Sequence, residues 1–379
     1  MAGDASSLRA RFPDAGIDAL WVTSPANVRY LSGFTSPEDG SVLVTQAAST
    51  LFTDGRYTVQ AAEESRIPHL IWKSVPRVAD VKDQVQGLRI GVEADHLTLA
   101  GAEQLREAWG VELVPTKRLV EELRVVKSEA ELSRIAEAAR VTDEAFEHAL
   151  DLVKPGVRED EVALGLEVFF KRQGAQPWPH GFVVASGPRS AMPHGRASSR
   201  VIESGDLVTL DFGCLFEGYH SDLTRTIAVG EVGPEQRRWH DETLAAQQAA
   251  VHAIKAGITG KEVDAVARER LTAAGLGEAF AHTTGHGVGL EIHEAPRLAA
   301  HSTDTLAAAM VVTVEPGVYL PGEGGVRIED LVAVTANGPL VLSRSPRELI
   351  VVSETPASRA STAGTSSHAG AVPAASEGL

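Results

Sequence analysis

Four carboxylates lie in sequence surroundings that do not suit an unpaired charge. Asp211 interrupts the apolar run VTLDFG, and Glu315 interrupts the run VVTVEPG. A second acid follows each of them, Asp222 in the first case and Glu329 in the second. A buried carboxylate must be paired, hydrogen-bonded or bound to a metal ion, because a lone charge in apolar surroundings is very unfavourable. The four acids therefore suggest a site for a pair of divalent cations.

Three histidines, His282, His286 and His293, lie in the stretch HTTGHGVGLEIHEAP. Each of its alternating glycines would cost a helix roughly 1 kcal/mol. We therefore expect an extended chain whose backbone passes close to another group. Oxygen ligands with one imidazole favour Mn²⁺, although Zn²⁺ and Co²⁺ would also bind. The alternative is that the histidines lie in a core loop and the acids pair with arginines such as Arg225 and Arg327.

Composition and charge limit the classes of protein to be considered. The chain has 379 residues, 43% hydrophobic and 23% charged, as in a soluble two-domain protein. Its net charge of −16 argues against a nucleic-acid or anionic-membrane partner. Cys214, the single cysteine, excludes an intramolecular disulfide and a thiolate zinc site. Because we find no signal-like or membrane-spanning apolar run, we expect a cytoplasmic protein. The Ala/Ser/Gly-rich tail, residues 357–379, is predicted to be disordered.

The elements that must position these side chains divide into two domains. Residues 1–124 alternate short β-like runs with helical stretches, which predicts an α/β domain. We place the boundary at Arg124, because Ser128 and Glu131 form a capping box that begins a long helix. The second domain then extends over residues 125–356.

The second domain repeats its own pattern. In each half two helical segments precede a β run, which carries Asp211 in the first half and Glu315 in the second. The pattern predicts a duplicated α-α-β-β unit that closes around a shared cleft. The predicted helical segments are 128–153, 158–173, 234–255 and 260–274.

The motifs around the acids resemble those of a known family. LDFGCLFEGYHSDLTRT, HTTGHGVGLEIHE, VEPGVY and GVRIED resemble the metal-binding motifs of the pita-bread metallopeptidases, which include methionine aminopeptidase, aminopeptidase P and Xaa-Pro dipeptidase (prolidase). The resemblance extends over residues 125–355. NVRYLSGF and TDGRY resemble the first domain of prolidases and aminopeptidase P, which methionine aminopeptidases lack. It implies an α/β N-terminal domain followed by an α+β pita-bread catalytic domain.

The resemblance implies a role for each ligand. Asp211 would bind a first metal ion, Asp222 and Glu329 would bridge two ions, and His286 and Glu315 would complete the second site. We expect two divalent ions per subunit, Mn²⁺ in the first place, with Co²⁺ or Zn²⁺ as alternatives. Two such ions lower the pKa of a shared water, and the resulting hydroxide would attack the peptide carbonyl. Glu315 would accept its proton and pass it to the leaving nitrogen.

Further residues match family positions around the cleft. His194 and His293 would donate hydrogen bonds where negative charge develops or where the substrate is held. His282 would either contact the substrate near the leaving group or support the metal ligands from behind. Arg327 and Tyr319 would orient the carboxylates.

The two-domain layout implies cleavage before proline, in a small peptide substrate. A dipeptidase must bind the free carboxylate of its substrate, and Arg297 resembles the prolidase arginine that does so. We therefore expect an Xaa-Pro dipeptidase, with aminopeptidase P as the alternative. A metal-free creatinase-like hydrolase and a non-catalytic binding protein of the same fold are more distant alternatives. On resemblance, we also expect a homodimer.

Overall fold

The structure, a computed structural model, describes residues 5–73 and 77–352. The predicted disordered tail, 357–379, lies outside these residues. Within the described ranges, we find no helix with the length and apolar character needed to cross a membrane.

The N-terminal region folds around one six-stranded mixed sheet. Its strands are β1 (Ala19–Val22), β2 (Ser41–Thr45), β3 (Ser49–Thr53), β4 (His69–Ile71), β5 (Ile90–Glu93) and β6 (Leu113–Thr116). Its helices are α1 (Ala5–Arg9), α2 (Phe12–Ala15), α3 (Pro25–Ser32), α4 (Thr58–Glu64), α5 (Lys82–Val85), α6 (Leu99–Trp109) and α7 (Glu121–Arg124). The strand order is β4-β3-β2-β1-β5-β6, and the sheet is packed in two apolar clusters. The predicted α/β class is confirmed.

Four helices frame the catalytic region, each within two residues of its predicted bounds. They are α8 (Glu129–Leu152), α9 (Glu159–Arg172), α10 (Pro234–Ala253) and α11 (Gly260–Ala273). The capping box predicted for α8 is present, because the Glu131 carboxylate accepts from the Ser128 N–H at 2.8 Å and the Ser128 hydroxyl accepts from the Glu131 N–H.

The strands of the catalytic region form two main sheets and two small ones. They are β7 (Gln176–Pro177), β8 (Val183–Ser186), β9 (Leu207–Phe212), β10 (Cys214–Phe216), β11 (Tyr219–His220), β12 (Leu223–Val229), β13 (Gly285–Gly287), β14 (Glu294–Leu298), β15 (Val311–Val314), β16 (Gly317–Leu320), β17 (Gly324–Arg327), β18 (Asp330–Thr335), β19 (Gly338–Val341) and β20 (Val351–Val352). The main sheets have the orders β20-β12-β9-β8 and β14-β13-β15-β18-β19. Two helices precede each main sheet, so the predicted α-α-β-β duplication is confirmed.

The two halves meet where β12 lies beside β18. The Glu329 N–H donates to the Thr224 carbonyl at 3.0 Å. Arg225 reaches across to Asp330 at 2.8 Å, and both side chains are almost fully buried. The suggestion that Arg225 pairs with one of the four acids is therefore wrong, because its partner is the residue after Glu329. The ion pair joins the halves directly behind the cleft.

Candidate metal centre

Each half delivers its two acids from one antiparallel strand pair. Asp211 lies near the end of β9, and Asp222 immediately precedes β12, its partner strand. In the second half, Glu315 directly follows β15 and Glu329 directly precedes β18. Because one strand of an antiparallel pair ends where the other begins, the two acids of each half reach the same edge.

The histidine-rich stretch is extended at His286, as expected from its glycines. A Cβ added to Gly285 would lie 2.0 Å from the Thr313 carbonyl oxygen, and one added to Gly287 would lie 2.1 Å from the Ala295 carbonyl oxygen. The backbone that these glycines approach is therefore that of the neighbouring strands β15 and β14. The close approach predicted from these glycines is therefore made, at their Cβ positions, to backbone carbonyls.

The predicted site residues surround one cavity of about 410 Å³. All of them except Tyr319 line it: His194, Asp211, Asp222, His282, His286, His293, Arg297, Glu315, Arg327 and Glu329. Tyr319 is buried behind the wall. The volume is in the range of small-molecule sites.

A buried trio forms the centre of this cavity. Asp222, His286 and Glu329 each offer one ligand atom, and these atoms lie within 4.8 Å of one another. His286 Nε2 is 3.2 Å from Glu315 Oε1. Among the described residues, Asp211 Oδ1 and Glu329 Oε1 are buried without a hydrogen-bond partner. Carboxylate oxygens left without donors beside an imidazole fit divalent cations.

The pKa shifts of the acids in this cavity also suit a site that binds cations. Burial raises the pKa of Asp222 well above its ordinary value, and the charges of Glu329, Asp211 and Glu315 raise it further. The pKa of Glu329 is raised in the same way, first by burial and then by Glu315 and Asp211. For Glu315, burial is outweighed by the hydrogen bond and charge of His286, so its pKa is lowered to about 2. The acids therefore resist ionising together unless a cation joins them.

We expect the free energy of unfolding of the metal-free protein to depend on pH because of these raised pKa values. A carboxyl group whose folded pKa is raised stabilises the fold fully below its unfolded pKa, about 4.3 for Glu, and loses that contribution as pH rises through the folded pKa. Glu329→Gln removes the charge and keeps an acceptor for Thr224. From about pH 4 to about pH 8, its free energy of unfolding should rise relative to wild type, because the glutamine carries no charge that burial would disfavour. Urea unfolding in a chelator measures this difference, and a difference that stays constant with pH would contradict the assignment.

Arg327 connects the carboxylates to the structure behind them. Its Nη2 donates to Asp211 Oδ2 at 2.5 Å, its Nη1 to the Tyr319 hydroxyl at 2.8 Å and its Nε to Thr224 Oγ1 at 3.1 Å. Thr224 in turn donates to Glu329 Oε2 at 2.7 Å. Asp211 therefore does pair with an arginine, as the alternative to metal binding supposed, but only through Oδ2. Its Oδ1 has no hydrogen-bond partner among the described residues. The network orients two of the predicted ligands.

The three other predicted histidines occupy different parts of the cavity. The His282 Nδ1 lies 2.8 Å from the Thr283 carbonyl, and its Nε2 lies 2.8 Å from the Tyr319 hydroxyl. Because a carbonyl only accepts, Nδ1 carries the proton and Nε2 accepts from Tyr319. His293 is exposed toward the cavity with its ring 4.3 Å from that of His286, and His194 is exposed on the wall.

The cavity wall includes aromatic, imidazole and apolar side chains that the sequence analysis did not predict. Trp178 and His180 line the cavity with their rings stacked at 5.3 Å. The signal was present in PWPHG, where aromatic and imidazole side chains alternate with proline before β8. Ile292 adds a further apolar side chain to the cavity wall.

Comparisons with known proteins agree with the fold. Metallopeptidase family M24 matches residues 133–336, and the creatinase/prolidase N-terminal domain matches residues 5–126. An Xaa-Pro dipeptidase of Pyrococcus furiosus is 39% identical over 335 residues, or 88% of this chain and 95% of that protein. The solved Xaa-Pro dipeptidase from Bacillus anthracis is 45% identical with a TM-score of 0.89, over 92% of this chain and 98% of that one. The X-Pro aminopeptidase from Thermotoga maritima is 36% identical with a TM-score of 0.82, over 89% of this chain and 98% of that one. The chain therefore belongs to metallopeptidase family M24 and carries a creatinase/prolidase N-terminal domain ahead of its catalytic domain.

Proposed function

We propose that this protein is an Xaa-Pro dipeptidase that hydrolyses the bond before a C-terminal proline with the help of two divalent cations. The observation that carries the proposal is the buried trio of Asp222, His286 and Glu329, with unpartnered carboxylate oxygens, inside a cavity of about 410 Å³. The similarity to Xaa-Pro dipeptidases supports the substrate class.

Five side chains would hold the cations: Asp211, Asp222, His286, Glu315 and Glu329. When bound, two divalent cations supply Lewis acidity and lower the pKa of a shared water, so that a nucleophile is available near neutral pH. Oxygen-rich ligation favours Mn²⁺, with Co²⁺ or Zn²⁺ as alternatives. The homodimer and the cytoplasmic location stay predictions from the sequence.

The other cavity residues would handle protons and the developing charge. The Glu315 carboxylate would accept a proton and return it to the leaving prolyl nitrogen. Burial and then the charge of His286 lower the pKa of His293 to about 4, so it is neutral near pH 7. His293 and His194 would each donate a ring N–H to the carbonyl oxygen as negative charge develops there. His282, whose two ring nitrogens already bond Thr283 and Tyr319, would lie beside the leaving nitrogen and contact the substrate through the edge of its ring.

The cavity also offers contacts suited to proline and to a free carboxylate. A prolyl nitrogen has no N–H in the peptide bond, so its ring needs a shaped apolar surface, which Trp178 and Ile292 would supply. Arg297, exposed on β14, brings its side chain to the same cavity. Within the described residues it forms no side-chain ion pair, which leaves it available for a substrate carboxylate.

We expect Arg297→Met to raise KM for Ala-Pro by roughly 10- to 100-fold, because a charged hydrogen bond contributes about 1.5–3 kcal/mol. The kcat should change little. Initial rates over a range of Ala-Pro concentrations measure both constants. Arg140→Met, an exposed arginine on α8 paired with Glu137 and Glu144, is the matched control and should behave as wild type.

Aminopeptidase P is the second candidate, favoured by the similarity to the Thermotoga maritima X-Pro aminopeptidase. That enzyme class cleaves before a proline that continues into a longer peptide. If the protein hydrolyses Ala-Pro-Ala faster than Ala-Pro, and Arg297→Met leaves both KM values unchanged, the aminopeptidase assignment replaces the dipeptidase.

A further inference from the structure

A buried chain of hydrogen bonds runs from the N-terminal sheet toward the catalytic cavity. Glu93, the last residue of β5, accepts from the backbone N–H groups of Thr23 and Ser24 at 2.7 and 2.8 Å. It also accepts from the side-chain amide of Asn27 at 2.7 Å. Asn27 is fully buried and accepts from Arg124 Nη1 at 2.7 Å. The N-terminal domain thus fixes one side of the Arg124 guanidinium.

The other side of this guanidinium meets two carboxylates of the catalytic domain, the buried Glu294 and the exposed Glu291, whose Oε2 accepts from Arg124 Nη2 at 2.8 Å. Arg124 Nη2 donates to Glu294 Oε1, and Lys127 Nζ lies 3.3 Å from Glu294 Oε2. The three side chains are 2%, 1% and 6% exposed for Arg124, Lys127 and Glu294 respectively. Burial alone would raise the pKa of Glu294, but the charges of Arg124 and Lys127 lower it. Glu294 is therefore an ionised group enclosed between two cations at the domain interface.

Glu294 also shapes the loop that leads to His293. Its Oε1 accepts from the backbone N–H of Glu291 at 3.0 Å, and a Cβ added to Gly289 would lie 2.7 Å from its Oε2. The His293 ring receives no hydrogen bond from any described side chain or backbone group, and it packs edge-on against His286. The backbone of this loop therefore decides where the His293 ring stands in the cavity.

We propose that Glu294 is a positioning residue that fixes His293 for catalysis, and that the N-terminal domain takes part in the reaction by holding Glu294 through Arg124. This inference rests on the proposed peptidase function and on the proposed role of His293. The proposed role of the N-terminal domain is separate from metal binding, because none of the predicted metal ligands contacts Arg124 or Lys127.

The test is a double-mutant cycle on kcat for Ala-Pro with the Mn²⁺-loaded full-length protein. Arg124→Met should lower kcat by roughly 10- to 100-fold, as small misplacements of a catalytic group do, and leave KM and bound Mn²⁺ unchanged. Asn27→Ala keeps the contacts of Glu294 with Arg124 and Lys127 but removes the tie to the N-terminal sheet, so it should lower kcat less. Arg200→Met, which breaks the 2.6 Å pair with Asp206 away from the cavity, should keep the wild-type kcat.

The same substitutions are then made together with His293→Ala. Because Arg124 and Asn27 would act through His293, Arg124→Met and Asn27→Ala should cost almost no further kcat in that background. Equal losses with and without His293 would overturn the inference, as would wild-type kcat in both single variants. If Arg124→Met does not fold, Asn27→Ala supplies the cycle. A wild-type protein that fails to cleave Ala-Pro would contradict the proposed function itself, a result distinct from additive losses in an active enzyme.

Discussion

Asp222→Asn is expected to abolish peptidase activity, lowering kcat/KM by well over 100-fold, while the protein stays folded. Removing a hydrogen-bond partner of a metal ligand typically costs 10- to 100-fold in affinity or activity, and losing a ligand shared by two ions should cost more. The fold should not suffer, because burial and the neighbouring acids Glu329, Asp211 and Glu315 already raise the pKa of Asp222 and disfavour its charge. Ala-Pro hydrolysis, bound Mn²⁺ and the melting temperature of the metal-free protein give the three readouts.

The matched control is Asp206→Asn. Asp206 is buried to a similar extent, 7% exposed against 6% for Asp222, but it pairs with Arg200 outside the cavity. This variant should lose stability and keep its activity, the reverse of Asp222→Asn. Strong activity and full Mn²⁺ binding in Asp222→Asn would remove Asp222 from the metal centre.

Arg327→Met should cause a large loss of stability. Removing one partner of a buried ion pair typically costs about 3–5 kcal/mol, because the other charge is left without compensation. Arg327 is 3% exposed and holds Asp211, Tyr319 and Thr224 together. Proton uptake by Asp211, whose pKa is already raised by burial, would moderate the loss at low pH.

The same substitution should weaken Mn²⁺ binding by roughly 10- to 100-fold, because Arg327 orients Asp211 directly and Glu329 through Thr224. Urea unfolding of the metal-free protein and calorimetric titration with Mn²⁺ separate the two effects. Arg200→Met, which also breaks a partly buried ion pair, should lose stability without any change in Mn²⁺ affinity. Unchanged affinity in Arg327→Met would mean that the carboxylates are positioned without it.

Local signals in the sequence were sufficient for the elements that carry the site. Ser128 with Glu131 specified the start of α8, because a capping box is a contact between residues three apart. The glycines beside His286 excluded a helix there, and the structure has the strand β13. Asp211 and Glu315 could be singled out because a charge inside an apolar run needs a partner.

Pairings between distant segments could not be read from the sequence in this way. Under the alternative to metal binding, Arg225 would pair with one of the four acids, yet it pairs with Asp330. Successive residues of a strand point to opposite faces, so Thr224 meets Glu329 while Arg225 meets the next residue on the other face. The contact of Arg124 with Glu294 joins two domains, and no periodicity in either segment indicates it.

The glycines show a further limit. A close approach by Gly285 and Gly287 was foreseen, but the groups they approach are carbonyls of adjacent strands. A glycine in the sequence can indicate that another group lies close to the backbone. It does not indicate which group that is, because glycine has no side chain whose chemistry would point to a partner. The hydrogen bonds of the Tyr319 hydroxyl with Arg327 and His282 likewise form only in the folded chain, which brings these side chains together.

The central claim is that this protein cleaves Xaa-Pro dipeptides only with divalent cations bound at the carboxylate–histidine cluster. The most direct measurement is the rate of Ala-Pro hydrolysis, beside Ala-Pro-Ala, by protein stripped with a chelator and titrated with Mn²⁺. We predict no hydrolysis by the stripped protein and recovery for Ala-Pro that is complete at two ions per chain, with the tripeptide left intact. Undiminished hydrolysis by the stripped protein, or no hydrolysis with two ions bound, would contradict the claim.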